Sequence, residues 1–394
     1  MRWDLILASG TSFVHGQTQN QKSETFARGQ SKIVDVQGGK FQVSFSRLVG
    51  GPGDGVDVVE IDSGCLRTVV LPTRGMSLWK AWSGPIELGW QSPVGGPVHP
   101  NLVPVFDPNG LGWLEGFDEW VVRCGLQSNG APDFDANGAL RFPLHGRIGN
   151  LPAHSLSIEV DPAAGTLDVI GSVTETRFHI QSLNIDVRYR FHMNRTTIDC
   201  TDVVTNRRSQ AATMQMLYHI NLGRPLLEKG SKVVAALDEL APRNAHSAKD
   251  IDRWDDYDGP TLGYSEQVYF ARPHTDGRGW TTTVLHNAKR TQAIALRFDT
   301  STLPYLNLWK NTVAVEDGYV TGLEPATGFP NPRSFEEQQG RVVTLAGGGS
   351  HTFAWQIESL DSHEAITGAI REVQSLQQSK CKVHRQPKPE WSSQ

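Results

Sequence analysis

The chain has 394 residues, 38% of them hydrophobic and 20% charged. That is enough apolar material for a sizeable core and too little charge for a disordered polymer. Lys and Arg total 37 against 42 Asp and Glu, a formal charge of −5, which speaks against a nucleic-acid protein, since such proteins carry a basic face. Glycine (39) and proline (22) together exceed the ~12% of an average chain, which favours a turn-rich architecture over a helical bundle.

Cys65, Cys124, Cys200 and Cys381 form no CxxC pair and read as reduced thiols, with no zinc-type cluster. No run approaches the ~18 apolar residues of a membrane span. The short stretch Leu5-Ile6-Leu7-Ala8 falls below the ~7–15 apolar residues of a secretory signal. A cytoplasmic protein without membrane or nucleic-acid partners is the expectation.

Residues 1–30 are polar and aperiodic and read as an N-terminal extension, a strand or helix lying on the body. From Lys32 the texture alternates: Ile33–Val36 and Phe41–Phe45, then Val56–Ile61 and Leu66–Leu71, have the two-residue period of strands. Residues 84–143 are rich in Gly, Pro, Trp and Asn and carry few strand signals. Strands resume at Leu156–Val160, Thr166–Ile170, Phe178–Ile180 and Ile185–Met193; Asn184–Phe191 alternates as a half-buried antiparallel strand should. Thr197–Val204 and Thr213–His219 follow. The polar, Asp-rich stretch 238–280 reads as a long loop, of the kind that is often functional. Late strands are expected at Thr281–Leu285, Gln292–Phe298, Tyr305–Trp309, Arg341–Leu345 and Thr352–Gln356. Ser362–Gln378 has apolar residues at helical spacing and reads as one surface helix; 379–394 is basic, contains Pro and reads as a flexible tail. Many strands without βαβ alternation predict an all-β fold: one large antiparallel sandwich over 31–378, with two smaller sandwiches split near residue 155 as the rival.

No Walker loop, GxGxxG turn or GxSxG elbow is present. Three clusters stand out: Pro143-Leu144-His145-Gly146-Arg147-Ile148-Gly149-Asn150, Leu217-Tyr218-His219-Ile220-Asn221-Leu222-Gly223, and Val320-Thr321-Gly322-Leu323-Glu324-Pro325. Each puts an ionisable group beside glycine or proline at the end of an apolar strand. Strand ends are rigid mounts, and glycine admits close approach of a ligand. Two histidines and a carboxylate form an acid–base set once the fold unites them.

The order of these segments resembles the aldose 1-epimerases (galactose mutarotases). Arg74-Gly75-Met76-Ser77 and Gly322-Leu323-Glu324-Pro325 are similar to a bacterial aldose-1-epimerase-like branch of that superfamily. The resemblance spans roughly residues 40–358 and implies a galactose-mutarotase-like β-supersandwich with a sugar site on the concave face of a large sheet. It implies His219 as general acid and Glu324 as general base, with Arg74, His145, Arg147 and Asn221 binding substrate. The chain departs from the usual pattern at Leu217-Tyr218-His219-Ile220, which lacks the Asn before and the aromatic after the histidine. The implied reaction is anomer interconversion of a free aldose, with no metal or organic cofactor. A base takes the proton of the anomeric hydroxyl, an acid protonates the ring oxygen, and the open aldehyde closes from its other face. Partial burial of Glu324 is expected to raise its pKa toward ~6–7.

Trp309 is a further candidate as a platform for a sugar face, with Lys310 beside it binding a hydroxyl or an acidic group. Eleven tryptophans suit sugar faces as well as cores. Asp118, Glu119, Arg123 and His99 are weaker candidates for closing the site from above. Two other readings stand beside mutarotation: an epimerase or lyase that takes a carbon-bound proton on the same scaffold, and a non-catalytic sugar-binding or sensing protein. The expected partner is a small sugar, and a homo-oligomer is left open.

Overall fold

The computed structural model describes residues 1–5 and 23–393. Among these, two large sheets, one of ten strands and one of fourteen, face each other. The ten-stranded sheet is built on the meander Ala153–Asp161, Thr166–Arg177, Gln181–His192 and Thr197–Asn206, extended by Ser350–Leu360 and Ala293–Asp299. Alternation sets the inner face: Ile185, Val187, Tyr189 and Phe191 are buried while Asp186 and Arg190 are exposed.

The fourteen-stranded sheet runs from Gln30–Val36 through Ser77–Ser83 and Val121–Leu126 to Ala212–Leu222, Val320–Ala326, Tyr305–Asn311, Gln267–Pro273 and Leu237–Pro242. Both sheets draw on both halves of the chain, and one apolar core joins them. The expected single sandwich is therefore the observed architecture, and a split near residue 155 is not.

The helix His363–Leu376 starts where expected, with the Ser362 hydroxyl accepting from the Ala365 N–H. It buries Ile366, Ala369, Ile370 and Val373 against Val284, Ala293 and Ala295 of the ten-stranded sheet. No helix of the described residues is long and apolar enough to cross a membrane.

Several segments differ from expectation. Residues 84–143 are not loop throughout: Val121–Leu126 is a central strand beside Ala212–Leu222. Its sequence does not alternate because both faces are buried, with Arg123 inside the core. The stretch 238–280 likewise contributes Leu237–Pro242 and Gln267–Pro273 to the same sheet. The C-terminal segment is not loose. Lys382–Val383 adds a short parallel strand, His384 and Lys388 converge on the buried Glu239 carboxylate, and the Trp391 ring packs on Phe329. Its basic residues read as solvated because their acidic partner lies about 145 positions earlier. At the N-terminus, Arg2–Leu5 pairs with Ala153–Asp161 and Ser23–Phe26 lies parallel to it. Of the stretch Leu5–Ala8, residues 6–8 lie outside the described residues.

Candidate active site

The strand Ala212–Leu222 is buried on both faces, so its apolar run hides the alternation. Met214, Met216, Tyr218 and Ile220 point into the inter-sheet core. Leu217 belongs to a separate apolar cluster with Trp90, Trp113, Phe117, Val122 and Cys124, and His219 shares its face by parity. The neighbouring strand Val320–Ala326 is antiparallel, with Ile220 opposite Leu323. Glu324 therefore stands next to His219, and the structure unites the two groups expected to act together: His219 Nε2 lies 3.2 Å from Glu324 Oε1.

Gly322 explains how the carboxylate reaches that position. A Cβ on Gly322 would come within 2.5 Å of Glu324 Oε1, so the carboxylate lies over the glycine. Glu324 is buried to 2% exposure, deeper than the partial burial expected, and Oε1 has no hydrogen-bond partner among the described residues. Burial raises the Glu324 pKa well above the usual carboxylate range; the nearby Glu266 adds to this and Arg243 opposes it.

His219 is oriented from behind. The Asn221 amide nitrogen donates to the carbonyls of Glu119 and His219. This turns Asn221 Oδ1 toward His219 Nδ1, 2.6 Å away. Nδ1 must then carry the proton and donate, which leaves Nε2 as the ring atom facing Glu324. Burial, with His145 close by, holds the His219 pKa well below the usual histidine value.

The third segment joins them. The His145 ring centroid is 5.3 Å from that of His219 and 4.6 Å from that of Trp113. His145 Nδ1 is 2.9 Å from the Asn129 carbonyl, so Nε2 is its free acceptor. Burial brings its pKa down to about 4. The backbone of His145 has φ +56° and that of Gly146 +71°. A Cβ at Gly146 would meet the Ser128 carbonyl oxygen at 2.1 Å, so this tight turn requires glycine. A non-glycine residue at positive φ costs about 1–3 kcal/mol and is commonest where function fixes the geometry.

Aromatic rings wall the site. Phe117 and Trp309 lie 5.1 and 5.3 Å from the His219 ring, centroid to centroid. Trp113 and Phe117 come from the stretch 84–143, which thus closes over the sheet. Trp309 is steadied by a 2.7 Å hydrogen bond from its indole N–H to Glu266, which also meets Arg243 at 3.5 Å. Trp113, Phe117, Glu266 and Arg243 were not among the sequence candidates. All four come from the two poorly patterned stretches, whose only signal was length and aromatic content.

Other candidates sit elsewhere. Arg74 is 1% exposed, and its guanidinium is committed to Glu119 (2.6 Å), Asn150 and the carbonyls of Val98 and Gly116. It staples the covering stretch to the sheet and does not face the site. Lys310 follows Trp309 and so faces the other side of the strand. Its ammonium donates to the carbonyls of Arg253 and Asp256, and burial brings its pKa to about 8. Asn221 positions His219 and has no donor left for a ligand. Arg147 stacks on Phe106, 5.5 Å from the ring centroid, in a depression that His219 and Glu324 do not line.

The weaker candidates also have other partners. Arg123 forms an inter-sheet ion pair with Asp202 at 2.5 Å. Asp118 accepts from the Trp79 indole, with a pKa raised to about 6, mainly by burial. Glu119 is the partner of Arg74. His99 accepts the Asn101 N–H in a short turn. Among the described residues, no group of three or more His, Cys, Asp or Glu is arranged to hold a metal ion.

Comparison with known proteins adds a frame. A family model described as "Domain of unknown function (DUF4432)" matches residues 53–358. A solved structure from Klebsiella pneumoniae, provisionally named an aldose 1-epimerase, is similar with 32% identity, a TM-score of 0.87, and coverage of 91% of this chain and 94% of that one. A galactose 1-epimerase from Lactobacillus acidophilus is 13% identical over 82% of this chain and 99% of its own, with a TM-score of 0.54. A galactose mutarotase-like protein from Clostridium acetobutylicum is 14% identical over 78% and 96%, also with a TM-score of 0.54. The last two share the fold alone. No curated protein matches the chain.

Proposed function

This chain belongs to the DUF4432 family and carries the galactose-mutarotase-like scaffold, and from that premise we propose that it is an aldose 1-epimerase-like isomerase that interconverts the α and β anomers of a sugar. One observation carries the reading: a histidine and a carboxylic acid on adjacent strands, 3.2 Å apart, buried inside an aromatic enclosure. Anomer exchange needs one base and one acid at neighbouring oxygens of one ring. A sugar-binding module has no need of a buried histidine–carboxyl pair, and burying one without a chemical role is costly.

His219 and Glu324 share one proton in this reading. In the empty pocket, burial disfavours charge on both, so the proton rests on Glu324 and both groups are neutral. Sugar hydroxyls that donate to the carboxylate favour its ionised form, and the proton passes to His219 Nε2. Glu324 then takes the proton of the anomeric hydroxyl while His219 protonates the ring oxygen. The ring C–O bond breaks, the C1–O bond becomes a carbonyl, and rotation about C1–C2 exposes the other face. Closure reverses both transfers, so each residue serves as acid in one direction and as base in the other. His145 Nε2 accepts a substrate hydroxyl, and the Trp309 ring supports a sugar face.

The test is proton NMR of freshly dissolved single anomers of several aldoses in D₂O. Accelerated equilibration that vanishes in Glu324→Gln, with no deuterium on carbon, is the expected result. Deuterium on carbon would replace mutarotation with epimerase or lyase chemistry. Saturable sugar binding with no rate effect would make the protein a binding module.

A further inference from the structure

Arg147 shares the short turn of His145 yet points away from the catalytic pair, and it has company. Arg141, Arg147 and Arg177 line one shallow depression together with Phe106, Phe142, Gln127 and Glu175. None of the three guanidinium groups has a hydrogen-bond or ion-pair partner among the described residues. Arg147 lies over Phe106 and Arg141 over Phe142, with guanidinium carbons 5.5 and 5.4 Å from the ring centroids. A fourth guanidinium, Arg333, sits on Phe142 at 5.3 Å and is tied to Thr213 and the Gln127 carbonyl. Such crowding of like charge is unusual on a chain with a net charge of −5. Like charge gathered in one place favours an anion beside it.

Glu175, the one carboxyl lining the depression among the described residues, supplies only part of that relief. Glu175 accepts the Leu126 N–H at 2.8 Å and faces the Gln181 amide at 3.4 Å. It forms no direct ion pair with the three arginines; burial raises its pKa, and its bond from the Leu126 N–H and the Arg147 charge pull the other way. Burial presses the Arg333 pKa down and the nearby Arg141 charge adds to this, while Glu337, Asp133 and Glu175 oppose it.

We propose that Arg141, Arg147 and Arg177 form an oxyanion site that takes a phosphate or carboxylate group, beside the turn that carries His145 but sharing no residue with the catalytic pair. Guanidinium forks match such groups in shape and charge, and the rings below hold the forks flat. The anion is either a free ligand or the charged end of the sugar itself.

Isothermal titration with inorganic phosphate, at fixed ionic strength against chloride, tests the site. Expected is saturable binding of one phosphate per chain, weakened at least tenfold in Arg147→Gln and in the exposed-residue double variant Arg141→Gln/Arg177→Gln, and unchanged in Glu324→Gln. Absence of saturable binding at millimolar phosphate, or equal binding by wild type and both arginine variants, overturns the proposal. The source of the anion follows from anomer exchange. Phosphate that raises the apparent KM for glucose 6-phosphate but not for glucose identifies the sugar's own phosphate. Phosphate that binds without moving either KM identifies a separate ligand. Because binding is read as heat, a protein without mutarotase activity still passes or fails this test.

Discussion

Asn221 holds the proton of His219 on Nδ1. Its amide nitrogen is spent on the Glu119 and His219 carbonyls, and its oxygen sits 2.6 Å from the ring. The free nitrogen of His219 therefore faces Glu324. Asn221→Ala removes this orientation without touching a substrate atom. The expected outcome is a fall in kcat of about 10²-fold, within the range general acid–base groups contribute, with KM nearly unchanged. Steady-state kinetics across pH check it. A purely structural role would instead lower the apparent kcat only in proportion to the folded fraction, read by circular dichroism, and leave the pH profile unmoved.

Gly322 offers a cleaner separation of activity from stability. The atom a new Cβ would strike is the tip of the Glu324 side chain, 2.5 Å away, and a side-chain tip moves more cheaply than backbone. Gly322→Ala should keep the fold to within about 1 kcal/mol, since alanine loses less chain entropy than glycine. It should displace the carboxylate from His219 and lower kcat by about 10²-fold or more, the usual result of an ångström of misplacement. Urea unfolding beside anomer-exchange rates measures both. A variant that loses stability and keeps its rate would show that the carboxylate position does not matter.

These residues also show what the sequence could disclose. His219 and Glu324 stand out in the sequence because each is the ionisable group of an apolar segment that also holds glycine or proline, a local pattern; in the fold both lie within their strands, Ala212–Leu222 and Val320–Ala326. Trp309 and Lys310 were both named, yet neighbours on one strand face opposite sides, and only the register with Val320–Ala326 decides which one faces Glu324. Arg74 resembles a site residue in sequence, yet its acceptors come from positions 98, 116, 119 and 150, pairings no local pattern reveals. Trp113 and Phe117 lie in a stretch with no regular period, so their place over His219 comes from long-range packing alone. The sandwich, by contrast, was readable, because alternation as in Ile185–Phe191 marks a sheet face directly.

Arg74 and Glu119 form a buried pair, each 1% exposed, at 2.6 Å. Removing one partner of such a pair leaves an uncompensated charge and costs about 3–5 kcal/mol. Arg74→Met should therefore destabilise by that order in urea unfolding. The double variant Arg74→Met/Glu119→Leu should recover a substantial part of the loss. A single variant with unchanged stability would remove the case for Arg74 as the staple of the covering stretch.

The last prediction follows from the direction of the Glu324 shift. Burial raises its pKa well above the ordinary glutamate value, so the folded state holds this proton more tightly than the unfolded state. Its stabilising contribution is complete below about pH 4.5 and is lost as pH rises toward the folded value. Glu324→Gln keeps the shape and has no proton to lose. The difference in Tm, variant minus wild type, should therefore grow as pH is raised above 5 and level off where Glu324 ionises in the fold, because each unit up to that point costs wild type up to about 1.4 kcal/mol. His219 acts in the other direction. Its depressed pKa removes stability as pH falls below about 6.5, since the unfolded histidine then binds the proton. His219→Gln should accordingly narrow the acid-side loss and leave the alkaline side as in wild type. Thermal melts of the three proteins across pH 5–8 separate the two effects. A Glu324→Gln difference that stays flat would mean that the carboxyl is not held neutral by burial, and the shared-proton reading of the pair would fall with it.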